Sequence, residues 1–199
     1  MNKGLLALAV VVIGAVIYLS QGGGEVAPES STAPAAIEVE RTIGLIDDER
    51  IKAADSEPGN WLAFGRNYEE QRFSPLTQIN KENVDSLGLA WFKDMNTNRA
   101  LEATPIVVDG RMFFTTSWSR VYSVDARTGE TLWSYDPMVP GEWGRRACCD
   151  VVNRGVAVYN GRVYVGTLDG RLLALDAESG KLDWEVDTLI DRDRFYTIT

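Results

Sequence analysis

The second half of the chain carries a regular pattern of short apolar runs separated by turns. Residues 107–108, 112–115 and 121–124 are rich in β-branched and aromatic side chains, which are typical of β-strands. Asp109 and Gly110 stand between the first two runs, and this dipeptide strongly favours a two-residue hairpin turn. The pattern therefore predicts a series of short antiparallel strands joined by hairpins.

The same pattern occurs twice. Residues 124–133 (V-D-A-R-T-G-E-T-L-W) align with residues 175–184 (L-D-A-E-S-G-K-L-D-W), and G-R-M-F-F-T-T earlier in the first copy aligns with G-R-V-Y-V-G-T in the second. Both copies end in a tryptophan, Trp133 and Trp184, so the repeat is 51 residues long. A repeat of this length that holds four short antiparallel strands is typical of a β-propeller blade. We expect each tryptophan to pack between neighbouring blades.

A further tryptophan indicates a ring that these residues do not complete. Residues 90–94 (A-W-F-K-D) resemble the last strand of a blade, residues 132–136, but no inner strands precede them. Such an outer strand must join inner strands from elsewhere in the chain, and in a closed propeller those come from the C-terminus. Because two blades alone leave open sheet edges, we interpret the 199 residues as the N-terminal part of a longer protein.

The N-terminus predicts export. Residues 1–20 are interpreted as a signal peptide or signal anchor, because Lys3 precedes an uncharged apolar run, residues 4–19. Lys3 lies before the run and acidic residues lie after it, and this distribution of charge places the remainder outside the cytoplasm. The run is long for a signal-peptide core and short for a span of about 20 residues, so cleavage stays open. Residues 21–42 are predicted to be a flexible linker, and residues 43–199 to be the folded part.

The composition excludes several classes of function. The formal charge of −9 argues against nucleic acid as a partner, since nothing here would neutralise a run of phosphates. The chain contains no histidine, which removes imidazole-based catalysis, most zinc sites and haem attachment through C-x-x-C-H. Any chemistry must therefore use carboxylates, arginine, hydroxyls, sulfur or a bound cofactor.

The two cysteines, Cys148 and Cys149, are adjacent within G-R-R-A-C-C-D-V-V-N-R-G (residues 144–155). Neighbouring Cα atoms are about 3.8 Å apart, below the usual span of a disulfide, and a bond between them would close no loop. Two explanations stay open: a local bridge that offers a flat, polarisable sulfur surface, or two buried free thiols. Export to an oxidising compartment favours the bridge.

Two motifs together resemble one known family. Residues 174–184 fit the pattern A-x-D-x-x-T-G-K-x-x-W except that Ser179 replaces the threonine, and the first copy departs further, with Ser123 for alanine and Glu130 for lysine. This motif and C-C-D-V-V-N-R-G (residues 148–155) resemble the tryptophan-docking motif and the cysteine-pair segment of the quinoprotein alcohol dehydrogenases, which use pyrroloquinoline quinone (PQQ). The resemblance implies an all-β fold: the first blades of an eight-bladed β-propeller of four-stranded antiparallel sheets, preceded by an N-terminal apolar export or anchor helix.

The resemblance also implies a cofactor site. In this family the adjacent cysteines form a strained disulfide ring against one face of PQQ, which implies a bridge between Cys148 and Cys149. Arg154, six positions after the first cysteine, is implied to pair with a PQQ carboxylate, a group that suits its guanidinium fork. Glu102 and Thr199 match family residues that contact the cofactor. The family's general base and calcium ligands are expected beyond these residues, so no catalytic or metal-binding residue is assigned here.

The implied activity is the oxidation of a small primary alcohol to an aldehyde in the periplasm. PQQ and calcium would be the cofactors and a cytochrome c the electron acceptor, with the N-terminal segment as an inner-membrane tether if it is retained. These residues alone are not expected to turn over.

Two alternatives carry similar repeats. One is a non-catalytic propeller that scaffolds outer-membrane protein assembly, and the other is a membrane-bound PQQ sugar or polyol dehydrogenase. The adjacent cysteines weigh against both, because the first class has no reason to keep them and the second lacks them.

Overall fold

The computed structural model describes residues 41–194 and 196–199. The predicted export segment, residues 1–20, and all but the last two residues of the predicted linker lie outside the described residues. Among these residues, none of the helices combines the length and the apolar character that a membrane span needs.

Two four-stranded antiparallel sheets make up most of the described chain. In both sheets the strands lie in the order in which they occur in the sequence, so each sheet is a meander of hairpins. This confirms the two predicted four-stranded units. The first sheet contains β1 (Ile106–Val108), β2 (Arg111–Thr115), β3 (Val121–Asp125) and β4 (Thr131–Tyr135), and the second contains β5 (Ala157–Tyr159), β6 (Arg162–Gly166), β7 (Arg171–Asp176) and β8 (Leu182–Asp187).

The predicted hairpin turn between β1 and β2 is confirmed. Asp109 and Gly110 have φ values of 53° and 75°, as a tight turn with two left-handed residues requires. The equivalent turn between β5 and β6 uses Asn160 and Gly161, with φ values of 46° and 71°. The repeat therefore extends to the conformation of the turns.

The segment before the sheets packs against both of them. Helix α1 (Asp48–Lys52) is attached to the first sheet by Arg50, whose guanidinium lies 2.7 Å from the carboxylate of Asp109. Arg41, within the predicted linker, lies 2.5 Å from the carboxylate of Asp183 on the second sheet. Single 3₁₀ turns lie at Ala54–Ser56 and Val84–Ser86, and a longer 3₁₀ segment lies at Gly141–Arg145. Ser117–Ser119 form a turn in which Trp118 and Ser119 have positive φ.

The apolar core joins the two sheets and the segment that precedes them, from residue 41 onwards, into one body. Its largest cluster draws on all three, and fully burying one side chain of this kind stabilises a fold by roughly 1.5–3 kcal/mol. Buried members of the cluster include Ile46, Leu62, Phe113, Val121, Trp133, Val158, Val163 and Leu173.

The expected packing of a tryptophan between blades is confirmed for Trp133. Its indole nitrogen donates a hydrogen bond to the carbonyl of Ala177 at 3.0 Å, and its ring lies against Gly180. We call residues 176–180 and their equivalents in the first sheet, residues 125–129, the docking turns. Trp91 makes the same contacts with the first docking turn, because it donates to the carbonyl of Ala126 at 3.3 Å.

Residues 90–94 resemble a last strand in the contact that Trp91 makes with the first docking turn, but not in their backbone conformation. These residues form no strand, since no strand in the described part of the chain pairs with them. Trp184 closes the second copy and is 41% exposed. Among the described residues there is no further sheet against which it would pack.

The docking turns leave room for an indole ring only because they carry glycine. A Cβ atom at Gly180 would lie 2.6 Å from Trp133, whereas a Cβ atom at Gly110 would meet nothing within 4 Å. Both glycines have positive φ, 71° and 75°. The two positions therefore separate the effect of backbone conformation from that of the close contact.

We expect Gly180→Ala to destabilise the protein more than Gly110→Ala does. Alanine at a left-handed position costs about 1–2 kcal/mol in both variants, and overpacking against the indole adds about 1–3 kcal/mol at Gly180 only. Urea unfolding of the two variants and the parent measures the difference. Equal losses in the two variants would contradict the close packing of Trp133.

An aspartate holds each docking turn together. The carboxylate of Asp176 accepts hydrogen bonds from the backbone nitrogen of Ser179 at 2.8 Å and from its hydroxyl at 2.7 Å. Burial raises the pKa of Asp176, but the bonds from Ser179 and the nearby charge of Arg41 outweigh it, so the pKa lies below the ordinary value of 3.8. The charged form of Asp176 therefore stabilises the fold above its unfolded pKa, and this stabilisation is lost as the pH falls through the folded pKa.

We expect Asp176→Asn to weaken the dependence of stability on acid. The asparagine oxygen still accepts the bonds from Ser179, so the variant removes the titration while leaving the turn formed. Between pH 5 and pH 3 the parent should lose more unfolding free energy than the variant does. Glu82→Gln, at an exposed position, is the control. The prediction is wrong if Asp176→Asn loses as much as that control.

Candidate functional site

Three of the predicted site residues meet in the structure although they are far apart in the sequence. The guanidinium of Arg154 lies 3.5 Å from the carboxylate of Glu102 and donates a hydrogen bond to the hydroxyl of Thr199. The side chains of Arg154 and Glu102 are 47% and 43% exposed. The cluster therefore offers a cation, an anion and a hydroxyl to a ligand from solvent.

Two segments that lead into the first strand of each sheet create this meeting. Thr104, just before β1, forms a parallel bridge with Gly155, just before β5. The backbone nitrogen of Thr104 donates to the carbonyl of Arg154 at 3.1 Å. Residues 99–104 and 150–155 therefore run side by side, just before the first strand of each sheet. Glu102 and Arg154 stand on these paired segments.

A second ion pair links the same two segments. Arg99 lies 2.7 Å from the carboxylate of Asp150, and Asp150 directly follows the cysteine pair. Asp150 has a left-handed backbone with a φ of 66°, a conformation that aspartate tolerates better than most residues. The pair with Arg99 thus holds the chain where it leaves the two cysteines.

Cys148 and Cys149 form a disulfide in the structure, with Cα atoms 3.8 Å apart. Of the two explanations left open by the sequence, the structure has the bridge, and both residues are exposed rather than buried. An apolar cluster of Trp143, Val151 and Leu168 supports this part of the chain. The sulfur pair is therefore available to a ligand on the segment that also carries Arg154.

The structure also reveals residues that the sequence analysis missed. Arg99 and Asp150 are separated by the repeat length, as are Thr104 and Gly155, so the repeat contained a signal for both contacts. Asn153 lies inside the cysteine motif, and its buried contacts have no local signal.

The described residues contain no group of three or more His, Cys, Asp or Glu side chains that could hold a metal ion. The metal ligands and the general base implied by the resemblance were not expected in this part of the protein.

Comparison with known proteins relates this architecture to one family. Residues 61–186 match the family model described as "PQQ: Glucose/ethanol/alcohol dehydrogenase, beta-propeller domain". The chain belongs to this PQQ β-propeller family. The resemblance inferred from the two motifs is therefore confirmed.

The similar proteins with known names are much longer than this PQQ propeller chain. The "Alcohol dehydrogenase (quinone), dehydrogenase subunit" of Komagataeibacter europaeus is 56% identical over 155 residues, which cover 75% of this chain and 21% of the relative. The "1-butanol dehydrogenase (cytochrome c)" of Thauera butanivorans is 56% identical, covering 71% of this chain and 20% of the relative. A solved quinohemoprotein alcohol dehydrogenase from Pseudomonas putida HK5 is 55% identical with a TM-score of 0.77, covering 79% of this chain and 23% of that one. The chain thus spans about a fifth of the length of these relatives.

We expect removal of the disulfide to leave the stability of the propeller nearly unchanged. The bridge closes no loop, and both cysteines are exposed, so Cys148→Ser with Cys149→Ser should change the unfolding free energy by less than about 1 kcal/mol. Thermal and urea unfolding of the double variant measure this change.

Leu168→Ala, in the apolar cluster next to the cysteine segment, is the matched control. Leu168 is fully buried, and its truncation should cost about 2–5 kcal/mol. A double-serine variant as unstable as this control would show that the bridge has a structural role. Peptide mass mapping with and without thiol alkylation checks the bridge itself, which two freely alkylated cysteines in the native protein would contradict.

Proposed function

We propose that this chain is the N-terminal part of a periplasmic alcohol dehydrogenase that depends on PQQ and calcium, oxidises a primary alcohol to an aldehyde and passes the electrons to a cytochrome c. Membership of the PQQ family and the names of the similar proteins support this activity. The single observation that carries it is the meeting of Arg154, which lies on the segment that also bears the exposed disulfide, with Glu102 and Thr199.

The residues present fit PQQ, which is a flat tricarboxylate with a ring N–H. The guanidinium of Arg154 is a forked donor that suits a carboxylate, and the carboxylate of Glu102 is an acceptor that suits an N–H. Exposed ion pairs are worth at most about 1 kcal/mol, so a bound carboxylate can replace Glu102 beside Arg154 at little cost. The disulfide offers a flat apolar surface for one face of the ring system.

Each residue then has one task in this part of the protein. Arg154 binds a carboxylate, Thr199 adds a hydroxyl donor, Glu102 accepts a hydrogen bond, and the cysteine pair excludes water from one face of the ligand. When bound, PQQ supplies the quinone that accepts hydride from the alcohol carbon. In this proposal the base that takes the hydroxyl proton and the calcium ligands belong to other parts of the full-length protein.

The full-length protein is proposed to be an eight-bladed propeller with about six further units. The predicted export segment supports a periplasmic location, and the segment would anchor the protein to the inner membrane if it is not cleaved. The name of the Thauera butanivorans relative supports a cytochrome c as electron acceptor.

We expect Arg154→Ala to weaken the binding of PQQ to the full-length apoenzyme by about 2 kcal/mol, or about 30-fold, because a ligand carboxylate loses its charged partner. Arg154→Lys should recover only part of this loss, since an ammonium group cannot make the forked contact. Titration of the apoenzyme with PQQ measures the affinity.

Arg127→Ala, an exposed arginine on the first docking turn, is the control and should bind PQQ like the parent. Equal affinity in the parent, Arg154→Ala and Arg154→Lys would remove Arg154 from the site. A parent protein that binds no PQQ would instead favour the scaffold over the dehydrogenase.

A further inference from the structure

A buried amide lies next to Arg154 and joins the two sheets. Asn153 is 2% exposed, and its side-chain nitrogen donates to the hydroxyl of Ser119 at 3.2 Å and to the carbonyl of Gly166 at 2.8 Å. Its side-chain oxygen accepts from the backbone nitrogen of Gly155 at 3.1 Å. Its backbone carbonyl accepts from the hydroxyl of Thr115 at 3.3 Å. Every polar group of the side chain is therefore bonded, as a buried amide requires.

Ser119 is the centre of this network on the side of the first sheet. It is fully buried, and its hydroxyl oxygen accepts both the bond from Asn153 and a second one from the backbone nitrogen of Leu168 at 3.0 Å. Ser119 and its neighbour Trp118 have left-handed backbones, with φ values of 57° and 64°. Such residues cost free energy unless their surroundings hold them in place, and these hydrogen bonds do so.

The same network holds the backbone on both sides of Arg154. Asn153 precedes it, and Gly155, which Asn153 binds, follows it with a φ of 132°. The carbonyl of Arg154 itself accepts from Thr104. The side chain of Arg154 is exposed, so its backbone is held while the guanidinium stays accessible.

We propose that Asn153 is the positioning residue for Arg154, and that its bond to Ser119 sets the direction in which the guanidinium meets its ligand. At 2% exposure the amide itself is out of reach of a ligand, so it acts through the backbone. Fixing the backbone from which a long side chain extends reduces the conformational freedom that the side chain would lose on binding. The identity of the ligand as PQQ rests on the proposed function, whereas the role of Asn153 in holding the backbone of Arg154 does not.

The test uses the full-length protein and four variants. Asn153→Ala and Ser119→Ala each remove one side of the bond, and the double variant removes both. Leu173→Ala is the control, because it truncates a fully buried apolar side chain of β7. Each protein is studied by titration of the apoenzyme with PQQ, by thermal unfolding, and by hydrogen exchange of the peptide that covers residues 150–155.

We expect Asn153→Ala to lower the affinity for PQQ at least about tenfold and to speed hydrogen exchange in residues 150–155. Leu173→Ala should lower the melting temperature by at least as much as Asn153→Ala does. Its affinity for PQQ and its hydrogen exchange in residues 150–155 should stay within about twofold of the parent. If the bond between Asn153 and Ser119 is the one that matters, the double variant should lose less affinity than the product of the two single losses.

Two results would overturn the proposal. One is unchanged exchange in residues 150–155 of Asn153→Ala, and the other is a loss of affinity in Leu173→Ala that equals the loss in Asn153→Ala at the same loss of stability. If the parent binds no PQQ, the proposed function fails, and the exchange measurement alone then decides whether Asn153 holds Arg154 in place.

Discussion

The contact between an indole ring and the docking turn of the next sheet is the constraint on which the rest of this structure depends. The hydrogen bond from Trp133 to Ala177 sets the orientation of the ring, and the missing Cβ of Gly180 sets how closely the two sheets approach. Because Trp91 makes the same pair of contacts with Ala126 and Gly129, the geometry is a property of the repeat. Apolar burial alone would allow the sheets to slide, whereas a directed bond and a close contact together do not.

Contacts between the sheets also bring together the segments that precede their first strands. Thr104 and Gly155 occupy equivalent places in the repeat and lie side by side. Glu102 and Arg154 stand next to these two positions and therefore meet without any strand being dedicated to the site. The candidate site is formed by residues that lead into the strands, where side chains are exposed, while the strands themselves supply the buried core.

The sequence was sufficient for most of the fold because the strands, turns and docking tryptophans have local signals that occur twice. The glycines of the turns and the aspartate of each docking turn belong to the same class of local pattern. The site was less accessible. Thr199 has no local pattern and was found only through family resemblance. The pair of Arg99 with Asp150 follows the repeat spacing, but that spacing does not say that these segments of the two units become neighbours.

The left-handed backbone of Trp118 and Ser119 was beyond sequence reasoning for a physical reason. Such a conformation is expected of glycine, and neither a tryptophan nor a serine indicates it. Only the partners that hold it in place, Val151 and Asn153, make it stable, and those partners lie in the next unit of the chain. A local rule is therefore violated at the point where a long-range network compensates for it, and this point lies beside the candidate site.

The placement of polar groups in this region follows from what each kind of group can do. Apolar side chains stabilise without direction, so Phe113 and Leu173 can hold the sheets together but cannot orient a guanidinium. Burying an amide costs free energy unless all its hydrogen bonds are made, so the position of a buried amide is fixed by its partners. Asn153 meets the demand with partners from both sheets, so any shift of one sheet against the other would break its bonds. The backbone of Arg154 is thus fixed relative to both units. Its exposed side chain gains a defined direction that its own surroundings do not supply.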